Sequence, residues 1–259
     1  MKKIFFLALV VLASSCVKLK DRIYFQDGNF SDSTTTFIKN QNSTYKIQAK
    51  DILSVDVYAS NLADIEPLRK DLQSSIATGN AATGGGLYLR GYVVDEKGNI
   101  SMPGGVGDIT VAGLTLEEAK EVIKSKITIL KEFIVEVKLL NFNVSVLGEV
   151  TRPGQYQIFQ ERFSLLQGLA MAGDLTDFAN RRNVRLIRQR PDGVEVKTID
   201  LTKSNLLNSE YFFLHPNDAI YVEPLKADTK RNNLPVLGTI FAGASAIVLI
   251  ANLIVNISK

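Results

Sequence analysis

Side chains able to make or break bonds are scarce in this chain. Its 259 residues include a single cysteine, Cys16, and a single histidine, His215. A tetrahedral metal site takes three or four nitrogen, sulfur or oxygen ligands, so any metal would rest almost wholly on carboxylates. His215 precedes Pro216 in a turn-like stretch, with no cysteine nucleophile or second histidine near it, and reads as a turn residue rather than a catalytic base. Hydrolysis of a glycosidic bond needs two carboxylates flanking that bond. Asp51 and Asp56 are near in sequence, but Asp51 reads as a turn residue and Asp56 as an outward strand position. The run Thr83-Gly84-Gly85-Gly86 precedes a strand, not the helix N-terminus that cradles phosphate, and reads as a flexible loop. The expectation is a protein with no catalytic site, no metal and no cofactor.

The lone cysteine suggests a different use. Met1-Lys2-Lys3 is followed by the apolar run Ile4 to Ala13 and then Ser14-Ser15-Cys16. A basic start, about ten apolar residues and small residues at a cleavage point make a secretory signal peptide over residues 1–15. The site has the form of a lipobox, although Ala13 stands where an aliphatic residue such as Leu is usual. Cys16 would become the lipidated N-terminus, each buried methylene of its acyl chains adding about 0.8 kcal/mol of membrane affinity. Residues 16–44, rich in Ser, Thr, Asn and Lys, read as a tether. Two of the three net positive charges lie on Lys2 and Lys3, leaving +1 on the mature chain, too little for a general nucleic-acid binder.

The other end is apolar. From Leu234 to Ile257 there is no charged residue, and a helix of that length would extend about 36 Å against a hydrocarbon core of about 30 Å. Residues 225–259 therefore read as a linker and a transmembrane helix. Ala242, Ser245, Leu249, Asn252 and Asn256 share one helical face, and Gly238, Ala242, Gly243 and Ala246 would permit close approach of a neighbouring helix. Two readings stay open. The helix is a plain anchor, or it associates with copies of itself and turns Ser245, Asn252 and Asn256 toward a polar lumen.

Between the ends the pattern is α+β. Leu53, Val55 and Val57 alternate with polar residues as a half-buried strand, and residues 60–87 read as an irregular insertion. Tyr92–Asp95 and Asn99–Met102 flank Glu96-Lys97-Gly98 as a hairpin, broken afterwards by Pro103-Gly104-Gly105. Thr115 and Glu118 form a capping box before a helix whose apolar stripe is Leu116, Ala119, Val122, Ile123 and Ile127. A strand with Phe133, Val135, Val137 and Leu139 closes a first domain over residues 45–140. A second domain, 141–224, follows with hardly a linker. Its strands begin with Phe142, Val144 and Val146, a turn at Thr151-Arg152-Pro153-Gly154 leads to Tyr156 and Ile158, and Ser164 with Gln167 caps a second helix that Gly173 ends. Pro191-Asp192-Gly193 marks a hairpin, and Pro216-Asn217-Asp218 introduces a last strand. Arg181, Arg182, Arg185, Arg188 and Arg190 crowd the first hairpin strand. They read as a charged edge that is solvated, contacts a neighbouring subunit or meets an anionic polymer.

Several of these segments resemble a known family. Tyr45-Lys46-Ile47-Gln48-Ala49-Lys50-Asp51-Ile52-Leu53 resembles the opening of the polysaccharide biosynthesis/export domain, usually Tyr-x-Ile-x-x-Gly-Asp-x-Leu, with Lys50 in place of the Gly. Asp95 to Glu118 resembles a later part of that domain. Val146-Leu147-Gly148-Glu149-Val150 with Pro153-Gly154-Gln155-Tyr156 resembles an SLBB module, a β-grasp fold whose turn would rest on Gly148, Pro153, Gly154 and Tyr156. The resemblance implies a Wza-type outer-membrane lipoprotein with its folded domains in the periplasm. It further implies a homo-oligomeric ring that exports capsular or exopolysaccharide, membrane lipid around its anchors, and an inner-membrane polysaccharide co-polymerase as partner. Here one SLBB module stands where larger members carry two. A membrane-anchored SLBB ligand-binding module without channel activity is the alternative.

Overall fold

The computed structural model describes residues 22–27, 35–41, 44–60, 65–68, 91–190 and 192–225, together with Gly243 and Ser245. Two hydrophobic cores divide the described chain, with Leu139 packed against both. The first is built on β1 (Ile52–Ala59), flanked by the short β2 (Tyr92–Val93) and by β5 (Phe133–Leu139), all antiparallel. The alternation predicted for β1 and β5 sends Leu53, Val135 and Val137 inward, while Asp56 and Tyr58 face out. Helix α1 (Leu116–Lys126) covers that inner face with Ala119, Ile123 and, just past its end, Ile127. Its start is set chemically: the Thr115 hydroxyl accepts from the Glu118 amide, and the Glu118 carboxylate accepts from the Thr115 amide. Two otherwise orphaned amides are thereby satisfied.

The predicted hairpin is corrected in its partners. The tight turn at Asp95–Gly98 exists, with Gly98 at φ +85° and the Asp95 carboxylate accepting from the Lys97 and Asn99 amides. The strand before it, however, pairs with β1, whereas β3 (Asn99–Met102) pairs with β4 (Gly107–Thr110) around Pro103-Gly104-Gly105. The glycine-rich stretch that reads as a strand break is itself the hairpin loop. Gly104, Gly105 and Gly107 all take positive φ, which lets the chain reverse there without a steric penalty.

Lys50 shows why the family pattern has glycine at that position. It adopts φ +74°, while its amide donates to the Val94 carbonyl. A side chain in the left-handed region costs about 1–2 kcal/mol, and Lys50 gains only an exposed ion pair with Glu96 in return. Lys50→Gly should therefore stabilise the first domain by about 1 kcal/mol, read as a higher denaturation midpoint with an unchanged m-value.

The second core lies behind a five-stranded mixed sheet of order β7-β6-β10-β8-β9. Its strands are β6 (Asn143–Gly148), β7 (Gly154–Gln157), β8 (Ala179–Arg190), β9 (Gly193–Ile199) and β10 (Ala219–Pro224). All neighbours run antiparallel except β6 and β10, which are parallel. Helix α2 (Leu165–Met171) packs behind the sheet through Leu165 and Leu169. The Ser164–Gln167 capping box starts it, and Gly173 at φ +78° ends it. Gly168 faces Leu214 and Ile220, where a larger side chain would have little room.

Two features of the arrangement are absent from the sequence reading. First, the domain junction is polar. The Asn141 carboxamide accepts from the Ile52 amide, the Tyr45 ring stands edge-on to His215 at 5.6 Å, and the Tyr45 hydroxyl donates to the buried Asp51 carboxylate. Second, part of the expected tether is docked. The amides of Phe25 and Gln26 donate to the carbonyls of Leu201 and Thr202, Arg22 pairs with Asp177 at 3.2 Å, and Tyr24 and Phe25 pack on the second core. Enough specific bonds form over residues 22–27 to offset the loss of chain entropy that composition alone would leave dominant.

Candidate functional site

The arginine-rich strand does not form the uniform charged edge that its sequence implies. Val184, Leu186 and Arg188 face inward on alternate positions of β8, and Arg188 is 2% exposed. Arg181 is also buried, although it lies on the opposite parity. Between Val184 and Ala179 the register against β10 shifts, five residues of β8 facing two of β10, and this irregularity exchanges the faces. Arg181 accordingly donates to the carbonyls of Thr176 and Leu175 and lies beneath the Tyr24 ring. Arg185 and Arg190 pair with Glu223 and Glu195 of the adjacent strands at 3.4 and 2.7 Å. Of the five, only Arg182 is exposed, and Arg185 and Arg190 are half-buried. For Arg181 and Arg188, burial corrects the expectation of contact with a polymer or a neighbouring subunit.

Arg188 instead anchors the second core. Its Nε and Nη2 donate to the two Asp218 carboxylate oxygens at 3.0 and 2.7 Å, and Nη2 also donates to the Phe213 carbonyl. Asp218 Oδ2 accepts from the His215 amide at 2.7 Å, so the carboxylate fixes the turn that opens β10. Burial pushes the Asp218 carboxyl above the usual range, with the Arg188 guanidinium pulling the other way. The inward parity of Arg188 is legible beside Val184 and Leu186. Its partner, thirty residues later, is not.

The turn singled out in the second domain is held by backbone geometry. Gly148 has φ +87°, and a Cβ there would lie 2.1 Å from the Val222 carbonyl oxygen. The chain then turns through exposed Pro153 to Gly154 at the start of β7, and the Tyr156 hydroxyl donates to the Arg152 carbonyl to close the loop. The Arg152 amide and guanidinium donate to the Ala172 and Met171 carbonyls, tying the turn to the end of α2. His215 is placed by its turn and by Tyr45. Asp51 is held by the Tyr45 hydroxyl and the Gln48 amide, with burial raising its pKa. Among the described residues, no three His, Cys, Asp or Glu side chains gather as a metal site. A cleft of about 540 Å³ is lined by Lys39, Asn40, Gln41 and Asn208, all polar.

The docked N-terminal segment ends on Asp27, whose carboxylate accepts from both the amide and the hydroxyl of Ser204. Those bonds hold its pKa below the usual aspartate value. A depressed folded pKa means the contribution is present above the unfolded value of about 3.9 and fades as pH falls through the folded one. Proteolysis between residues 22 and 41 should therefore accelerate as pH is lowered below about 4, and Asp27→Asn should show much of that sensitivity already at neutral pH.

Cys16, Asn252 and Asn256 lie outside the described residues. Ser245 is described, helical and exposed. Among the described residues no helix is long and apolar enough to cross a membrane.

Comparison with known families covers both domains. Residues 39–140 match the family described as polysaccharide biosynthesis/export protein, and residues 143–222 match the SLBB domain. The chain is a polysaccharide-export protein with one SLBB domain. The boundary between the two matches falls at the polar junction around Asn141, where the core changes hands. Lys50 and Asp51 belong to the export domain, and the Gly148 turn and the Arg188–Asp218 pair to the SLBB domain. Neither match is to an enzyme family.

Proposed function

We propose that this polysaccharide-export protein is a non-catalytic subunit of an oligomeric channel that passes capsular or exopolysaccharide across the outer membrane. Cys16 carries the lipid anchor, and the folded domains sit in the periplasm. The observation that carries the reading is the order of parts: a lipobox cysteine, an export domain, an SLBB domain and a charge-free C-terminal stretch. Movement of a polymer through such a channel needs no bond chemistry in the wall. The wall supplies subunit contacts and a polar lining, and Ser245, Asn252 and Asn256 offer hydrogen-bond donors and acceptors suited to sugar hydroxyls. An inner-membrane co-polymerase would meet the export domain from below.

Mass measurement of the full-length protein in mild detergent tests this. The expected result is an assembly of many copies, together with loss of surface polysaccharide from cells lacking the protein. A monomer that holds a small molecule would support the anchored ligand-binding module instead. Cells that keep normal surface polysaccharide without the protein would remove the export role.

A further inference from the structure

The SLBB sheet has two open edges, and they match each other. Among the described residues its order β7-β6-β10-β8-β9 leaves β7 and β9 each with a strand on one side only. Four inter-strand spacings of about 4.8 Å hold these edges about 19 Å apart, facing opposite ways. They cannot meet within one copy. Direction is the first point of agreement between them. β7 runs antiparallel to β6, β6 parallel to β10, β10 antiparallel to β8, and β8 antiparallel to β9. β7 and β9 therefore run in opposite directions, and a β7 edge laid beside another copy's β9 edge makes an antiparallel pair.

Height along the strands agrees as well. The register places Gln155, Ser145, Ala219, Ile187 and Val196 in one row across the sheet. One step along, Gln157 lies opposite Asn143 at one edge and Val194 opposite Gln189 at the other. The Ile158 amide still donates to the Phe142 carbonyl, so the alternation of β7 continues past the strand to Phe159. Ile158 is buried and Phe159 faces out. Phe159 thus stands one step beyond the level of Val194, on the same face of the sheet. A diagonal neighbour at that offset is within reach of an aromatic ring.

The side chains complete the match. On the sheet face turned away from the core, β7 and its extension present Gln155, Gln157 and Phe159, and β9 presents Val194, Val196 and Thr198. None is charged, and Phe159, Val194 and Val196 are 85%, 60% and 58% exposed. An open edge is ordinarily guarded by outward charge, proline or a bulge. The charges of β9 are turned to the other face, where Glu195 pairs with Arg190 and Lys197 lies over the Tyr211 ring. Docked residues 22–27 bond to the chain beyond this edge, at Leu201, Thr202 and Ser204.

We infer that the β7 edge of one SLBB domain docks head-to-tail on the β9 edge of a second copy, with Phe159 covering the partner's Val194 and the partner's Val196. Each copy offers one edge as knob and the other as seat, a heterologous contact that closes into a ring when the rotation per copy permits. The inference rests on the assembly proposed above and names its contact. The test uses the full-length protein in mild detergent. Phe159→Cys and Val194→Cys are made as single variants, expressed alone and together, and treated with a short thiol–thiol cross-linker. Both positions are exposed, and wild-type protein treated alike supplies the blank for Cys16. The expected result is no linked product from either variant alone, linked dimers from the co-expressed pair, and a ladder of many copies when both changes share one chain. Gln157→Cys in place of Phe159→Cys should link to Val194→Cys in the same way. Linkage of Val194→Cys to itself would mean that two β9 edges meet, and overturns the head-to-tail contact. Absence of linkage in an assembly whose mass is still that of many copies overturns the contact while leaving the assembly intact. A monomeric mass overturns both.

Discussion

Asp218→Asn should destabilise the SLBB domain by about 3–5 kcal/mol. The substitution keeps shape and hydrogen-bonding size but removes the charge that neutralises Arg188. That guanidinium is 2% exposed and cannot reach water to recover its solvation. Its Nη1 has no hydrogen-bond partner, so the site has no spare acceptor to compensate. Asparagine can still accept from the His215 amide through its oxygen, but its NH2 then faces the Arg188 Nε donor, so the loss comprises the charge and one hydrogen bond. The check is a thermal or denaturant transition reporting on the SLBB domain, with a fall in thermal midpoint of roughly 20 °C. Adding Arg188→Met to Asp218→Asn removes the stranded cation and should restore more than half of the loss. If the double variant is as unstable as the single one, the pair is not the source of the effect.

Gly148→Ala should cost about 3 kcal/mol for a different reason. About 1–2 kcal/mol comes from forcing an alanine into φ +87°. The remainder comes from the Val222 carbonyl, which stands where the new methyl must go. That carbonyl also accepts from the Glu149 amide, so backing away breaks a bond of the sheet. Gly154→Ala provides the contrast. Gly154 lacks positive φ, and the nearest atom to its added Cβ would be 3.9 Å away. A loss under about 1 kcal/mol is expected there. Equal losses at the two glycines would show that turn entropy, not the close approach to β10, sets the cost.

These two sites also show how far local rules extend. Both capping boxes, the apolar stripe of α1 and the alternation of β1 and β5 follow from contacts within a few residues. Such contacts are written in the spacing itself. The strand pairing around Gly98 is not legible there, because turn chemistry says where the chain reverses but not which strands then pair. The burial of two arginines is hidden for a related reason: a register shift exchanges the faces of β8 between Arg181 and Val184, and nothing local to the strand announces it. The docking of residues 22–27 is not legible because composition reports the entropy of a free segment and not the carbonyls of Leu201 and Thr202 that receive it.

The sequence by itself determined both helices, most of the strands and the likeness to the export family, since each rests on short-range periodicity, caps and turn motifs; β4 and the pairing of β2 with β1 are not among them. Only the tertiary structure decided which charges are buried, which glycine is indispensable and that residues 22–27 dock on the SLBB domain. Those outcomes depend on partners tens to more than a hundred residues apart: Arg188 with Asp218, Gly148 with Val222, Arg22 with Asp177. The folded backbone alone brings such distant groups within the few ångströms over which hydrogen bonds, ion pairs and steric repulsion act.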